Sequence, residues 1–153
     1  MSVLVPLPTG ELRLDSAIFD VNGTLTVRGE LVDGVADLIK QLCTALRVLL
    51  VSADTYGTLD GLAAGLGVDA RRVTDAADKL GVLREVGADT CVAIGNGHND
   101  RALLAEAALG IAVIGAEGAS SSALTAADLV CSSVIDAISL LLYPTSLVAT
   151  LRP

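Results

Sequence analysis

Asp20 closes a short apolar run, Ala17-Ile18-Phe19, and is followed by Val21-Asn22-Gly23-Thr24-Leu25-Thr26. A carboxylate at a strand tip is a candidate nucleophile, and a glycine shortly after it lets backbone amides close around an anion. Ser52-Ala53-Asp54 follows a second apolar run, Val48 to Val51, and offers a hydroxyl. Gly95-Asn96-Gly97-His98-Asn99-Asp100 follows a third, Cys91 to Ile94, and offers oxygen ligands. Lys79 is one of only two lysines in the chain, the other being Lys40. A carboxylate nucleophile, a hydroxyl, a fixed ammonium and oxygens able to hold a hard cation together suit phosphoryl transfer. Plainer readings stand beside this one. Asp20 could be a turn residue, Ser52 a helix cap, Lys79 a solvated charge beside Asp75 and Asp78, and Asp54 a brace for its own loop. His98, the sole histidine, reads as a loop-surface residue.

Chemistry at strand tips needs a scaffold that lines the tips up. Val35, Leu38, Ile39 and Leu42 have helical spacing, as do the stretches from Leu59 to Leu66, Asp75 to Val86, Asp100 to Leu109 and Val134 to Leu142, with a short helix near Ser120 to Ala127. Strands are expected at 17–19, 48–51, 72–73, 91–94, 111–114 and 129–130. The alternation predicts an α/β fold with a doubly wound, mostly parallel sheet of Rossmann type in three layers, α/β/α. Ligands in such sheets bind at the carboxyl ends of the strands, near the point where strand order reverses. Residues 1–14 read as an N-terminal edge hairpin, 15–143 as the core and 144–153 as a tail or strand, all in one domain.

The composition excludes other classes. A net charge of -8 with ten Lys and Arg argues against a nucleic-acid partner, whose phosphates need a clustered basic surface. Aromatics at 2% leave no platform for stacking bases. The apolar fraction is 52%, but the apolar runs have strand length, so no membrane segment or secretory signal is expected. Cys43, Cys91 and Cys131 lie in apolar runs without metal spacing and read as small buried hydrophobes of a cytoplasmic protein.

Taken together, the motifs resemble those of the haloacid dehalogenase superfamily, whose first motif is Asp-x-Asp-x-Thr. The first loop is closer still to the P-type ATPase phosphorylation loop, Asp-Lys-Thr-Gly-Thr-Leu-Thr. Ser52 matches the second-motif Ser/Thr, Ser52-Ala53-Asp54 looks like Thr-Gly-Asp, Lys79 matches the third-motif lysine, and the loop from Gly95 to Asp100 looks like Gly-Asp-Gly-x-Asn-Asp. The resemblance spans Asp20 to about Leu142 and points to the small soluble P-type-ATPase-like group. It implies an aspartyl-phosphate on Asp20, with Asn22, Ser52 and Lys79 completing the catalytic set. It further implies phosphate contacts from Gly23, Thr24, Ser52, Ala53 and Lys79, and Mg²⁺ held by Asp20, the Asn22 carbonyl, Asn96 and Asp100.

Two positions depart from the pattern. Phosphatases of the superfamily have a second Asp where this chain has Asn22, and an amide cannot act as a general acid or base near neutral pH. Slow turnover is expected. Asn96 replaces the usual metal-binding Asp, which weakens the pull on a cation. The gaps between motifs hold no cap domain, which in the superfamily goes with large substrates or with sites completed by a neighbouring subunit. The expected partner is a phosphorylated small molecule or phosphoprotein, with room for a homodimer or homotetramer. The competing expectation is a non-catalytic, regulatory phosphate- or metal-binding module that engages a protein partner.

Overall fold

Alternate residues of the central strands point to opposite faces, and here both sets are apolar, so the sheet needs a helical layer on each side. The computed structural model describes residues 1–153. The chain begins with β1 (Val3–Leu7), β2 (Gly10–Leu14) and β3 (Ser16–Asp20), then β4 (Thr26–Val27), β5 (Glu30–Leu31), α1 (Val35–Leu42) and β6 (Arg47–Ser52). It continues through α2 (Leu59–Leu66), β7 (Asp69–Arg72), α3 (Ala76–Val86), β8 (Cys91–Gly95), α4 (Arg101–Glu106) and β9 (Leu109–Val113). It ends with α5 (Ser121–Ala126), β10 (Leu129–Cys131), α6 (Val134–Leu142) and α7 (Thr145–Leu151). Six parallel strands form the central sheet in the order β10-β9-β8-β3-β6-β7.

Ala17, Phe19, Val48, Leu50, Val92 and Ile94 face one core with Ile39, Leu42, Leu66, Ile138 and Leu147 of α1, α2, α6 and α7. Ile18, Leu49, Val51, Cys91, Ala93 and Ala112 face the other with Leu83, Leu103, Leu104 and Ala123 of α3, α4 and α5. Phe19 is fully buried; its replacement by Ala should cost about 3–5 kcal/mol. By the same alternation Asp20 shares the face of Ile18, the face that α3 covers. Strand order reverses at β3, which pairs with β6 on one side and β8 on the other. Asp20 therefore stands at the crevice where such sheets receive ligands.

Helices α2 and α6 occupy the ranges their periodicity predicts, and Asp75 caps α3 by accepting the amide of Asp78 at 2.8 Å. Three expectations need correction. β1 and β2 pair only with each other and pack against α7, so they are not an edge of the main sheet. Residues 144–153 are neither tail nor strand: Pro144 ends one helix and opens α7, whose Leu147 is buried. The helix expected from Asp100 to Leu109 is shorter, because Leu109 and Gly110 pair with Val92 and Ala93 as the start of β9. All three cysteines are free, and no single helix is long and apolar enough to cross a membrane.

Candidate active site

Lys79 lies in the first turns of α3, next to a capping network that uses up its acidic neighbours. Asp75 takes the Asp78 amide and Asp78 takes the Thr74 amide at 2.9 Å, so both carboxylates stay on the outside. Lys79 alone turns inward. Its Nζ lies 2.7 Å from Asp20 Oδ1 and 2.7 Å from Asp100 Oδ1, and all three side chains are at most 9% exposed. Burial works against the ammonium, but Asp20 and Asp100 outweigh it and raise its pKa above the ordinary lysine value. Asp20 moves the other way for a carboxylate. Burial first, then the charge of Asp100, push it up to about 7 against the pull of Lys79 and Thr24.

The second Asp20 oxygen has a different neighbourhood. Thr24 Oγ1 lies 3.2 Å from Asp20 Oδ2 and 3.3 Å from Asn96 Oδ1. One hydroxyl proton cannot satisfy both acceptors fully, so two oxygens converge with a shortage of positive charge between them. The Asn96 carboxamide cannot flip to relieve this, because its Nδ2 donates to the Gly118 carbonyl at 3.1 Å. Gly23, at φ 79, makes the approach feasible: a Cβ there would stand 2.4 Å from Asn96 Nδ2. The Asn22 carbonyl accepts no hydrogen bond from the backbone. Asp20 Oδ2 and Asn96 Oδ1, with this unpaired carbonyl from the same loop, are donors of the type a hard divalent cation takes.

Asp100, expected as a metal ligand, has both carboxylate oxygens engaged by the protein. Its Oδ2 accepts the amides of Asn96 and Gly97 at 3.2 and 2.9 Å, and its Oδ1 faces Lys79. A Cβ on Gly95 would meet Asp100 Oδ2 at 2.6 Å, so the loop closes on this carboxylate only because residue 95 is glycine. No cluster of three or more His, Cys, Asp and Glu side chains suited to a metal occurs in the chain.

The groups expected to contact phosphate differ in what they already bond. The Gly23 and Thr24 amides turn inward, to the carbonyls of Thr26 and Val21 at 3.1 Å each, and the Thr24 hydroxyl serves the oxygen pair. The amides of Val21, Asn22 and Ala53 donate no backbone hydrogen bond. Ser52 Oγ accepts the Asp54 amide at 2.9 Å. Asp54 in turn accepts the Leu59 amide at 2.9 Å and Arg72 at 2.8 Å. His98 is exposed and meets Ser122 Oγ through Nδ1 at 2.7 Å, outside the constellation.

A two-stranded flap, β4 and β5, follows the nucleophile loop. The amide of Arg28 at its tip donates to Glu117 Oε2 at 3.1 Å, and the Tyr56 ring packs against Gly29. Glu117 follows β9 and Tyr56 follows β6, so the tip crosses above the ends of β8 and β3. Beside Gly23 and Thr24 lies a cavity of about 200 Å³ walled by Val27, Val32, Val113 and Ser133. A larger hollow of about 530 Å³, beside Arg101 and Ser122, touches none of the clustered residues.

No family model matches the chain. It aligns at 45% identity over 78 residues with an uncharacterized protein of Methanocaldococcus jannaschii, covering 48% of this chain and 84% of the relative. The two proteins belong to one family. A solved structure from Streptomyces avermitilis, described as a HAD family hydrolase, superposes with a TM-score of 0.70 at 21% identity, over 88% of this chain and 87% of the other. The chain has the haloacid dehalogenase fold. The cobalt-bound deoxy-D-mannose-octulosonate 8-phosphate phosphatase of Haemophilus influenzae shares this fold at a TM-score of 0.72 and 18% identity, over 92% and 94% of the two chains. So does the 3-deoxy-D-manno-octulosonate 8-phosphate phosphatase of Moraxella catarrhalis, solved with magnesium, phosphate and KDO, at 0.68 and 17%, over 89% and 90%. Within the haloacid dehalogenase fold, Asp20, Ser52 and Lys79 come from the ends of β3 and β6 and the start of α3, one residue from each.

Proposed function

We propose that the chain is a divalent-metal-dependent phosphohydrolase that works through a phosphoryl group carried on Asp20, with Mg²⁺ as the metal. The observation that carries this reading is the buried Lys79 ammonium 2.7 Å from both Asp20 and Asp100. An ammonium fixed there neutralises charge that gathers as a phosphoryl group approaches the carboxylate. The fold likeness to phosphatases, two of them solved with cobalt or magnesium, supports the same class.

In this reading the Asp20 carboxylate attacks phosphorus, the new bond forms to a carboxylate oxygen, and the ester P–O bond breaks toward the leaving group. The unpaired amides of Val21, Asn22 and Ala53, with the Ser52 hydroxyl, hold the phosphoryl oxygens. Asp20 Oδ2, Asn96 Oδ1 and the Asn22 carbonyl would hold the metal, which when bound supplies charge neutralisation beside the nucleophile. Asp100 keeps Lys79 aimed. Asn22 has no proton to give, so the departing oxygen is protonated from water, and water attacks the aspartyl-phosphate without a side-chain base. Turnover is therefore slow. The segment between β3 and α1 holds only the small flap, so no lid domain shields a small substrate. Phosphorylated small molecules and phosphoproteins both fit, and a second subunit would complete the site.

Asn22 also favours a second reading, a regulatory module that binds phosphate and metal without turnover. Incubation with an aryl phosphate and Mg²⁺ separates the two. Hydrolysis that Asp20→Asn abolishes supports the enzyme, whereas orthovanadate binding without hydrolysis supports the module.

A further inference from the structure

Ser52 is the one phosphate ligand of the site whose hydrogen must be aimed by its surroundings. A serine hydroxyl rotates freely unless a donor fixes its lone pair, and then its own proton points elsewhere. Here the donor is the Asp54 amide, at 2.9 Å from Ser52 Oγ. Asp54 itself adopts φ 60, a left-handed conformation uncommon for a non-glycine residue. Something must hold it there. Leu59 donates its amide to Asp54 Oδ1, and both Nε and Nη2 of Arg72 reach Oδ2, at 3.1 and 2.8 Å. Arg72 lies directly across the β6–β7 ladder from Ser52, as its register partner. Side-chain exposure is 55% for Arg72 but 9% for Asp54, so the guanidinium lies over a carboxylate that is otherwise enclosed.

We propose that Arg72 is a positioning residue for phosphoryl binding: through Asp54 it sets the Ser52 hydroxyl so that its proton is donated to a phosphoryl oxygen. The assignment rests on the phosphohydrolase reading and extends it to a residue that touches neither metal nor phosphate. Arg72 also meets Asp60 of α2 at 3.4 Å, so a purely structural role, tying α2 to β7, is the competing account.

A double-mutant cycle on orthovanadate affinity in the presence of Mg²⁺ tests it, using Ser52→Ala, Arg72→Ala and the pair. Loss of one aimed hydrogen bond to an anion predicts about a tenfold weakening for each single variant. The pair should be no weaker than Ser52→Ala alone, because Arg72 has nothing left to aim. Arg72→Lys, which keeps the charge, should recover part of the affinity. Amide hydrogen exchange at Asp54 should quicken in Arg72→Ala while exchange in β6 stays slow, a change that loosening of the whole fold would not confine to one residue. Losses that multiply in the pair, or full affinity in Arg72→Ala, overturn the assignment alone. Failure of the unaltered chain to bind orthovanadate overturns the phosphohydrolase reading and this assignment with it.

Discussion

The Lys79 ammonium and the Asp100 carboxylate sit 2.7 Å apart with 3% and 0% of their side chains exposed. Asp100 cannot move toward a cation without giving up this contact and two backbone amides, so it acts as an anchor for the lysine. Replacing Lys79 by Met would leave Asp20 and Asp100 buried together with no counter-charge. Such a loss is expected to cost roughly 3–5 kcal/mol at neutral pH. Urea unfolding at pH 7 measures it, and part of the loss should return at pH 4, where Asp20 is protonated. A variant as stable as the parent at pH 7 would contradict the buried triad.

Asn22→Asp restores a titratable group two residues after the nucleophile. General acid-base help of this kind is worth roughly a hundredfold or more, so aryl phosphate turnover should rise by about that factor. Steady-state kinetics at saturating Mg²⁺ gives the answer. An unchanged or lower rate in a folded variant would refute the account of the missing acid.

Burial and Asp100 hold Asp20 near pH 7, against an ordinary value of 3.8. The folded state therefore favours the protonated form, and folding takes up a proton between those values. Without divalent metal, stability is full below about pH 4 and declines as pH rises through 7. A bound cation favours the ionised carboxylate, so Mg²⁺ should flatten this decline. The acid limb of kcat/KM, which needs ionised Asp20, should move to lower pH as Mg²⁺ is raised. Unfolding with chelator and with Mg²⁺ at pH 5 and pH 8 checks the sign.

Asn96→Asp has two opposed effects. It adds a charge that attracts the cation, but it turns a carboxylate oxygen toward the Gly118 carbonyl, now 3.1 Å from the Asn96 Nδ2 donor. Thermal unfolding should show a lower melting temperature with chelator and a steeper rise with Mg²⁺ than in the parent chain. Parallel Mg²⁺ dependences in the two proteins would remove Asn96 from the metal set.

The covalent order of residues determined the strands β3, β6, β8, β9 and β10, the helices α2 and α6, and the polar loops that end β3, β6 and β8, because apolar periodicity acts locally, whereas the mostly polar β7 lies at Asp69–Arg72 and not at 72–73. It also determined that Asn22 and Asn96 replace acids, a fact about residue type alone. Only the tertiary structure decided that Lys79 turns inward while Asp75 and Asp78 cap α3, since all three share a short polar stretch and differ in what lies opposite. The pairing of Asp100 with Lys79, the free amide of Val21 beside the engaged ones of Gly23 and Thr24, and the reach of Arg72 to Asp54 likewise depend on distances across the sheet. Backbone amides and cross-strand partners carry no signature in side-chain identity. They become visible once the chain has folded back upon itself.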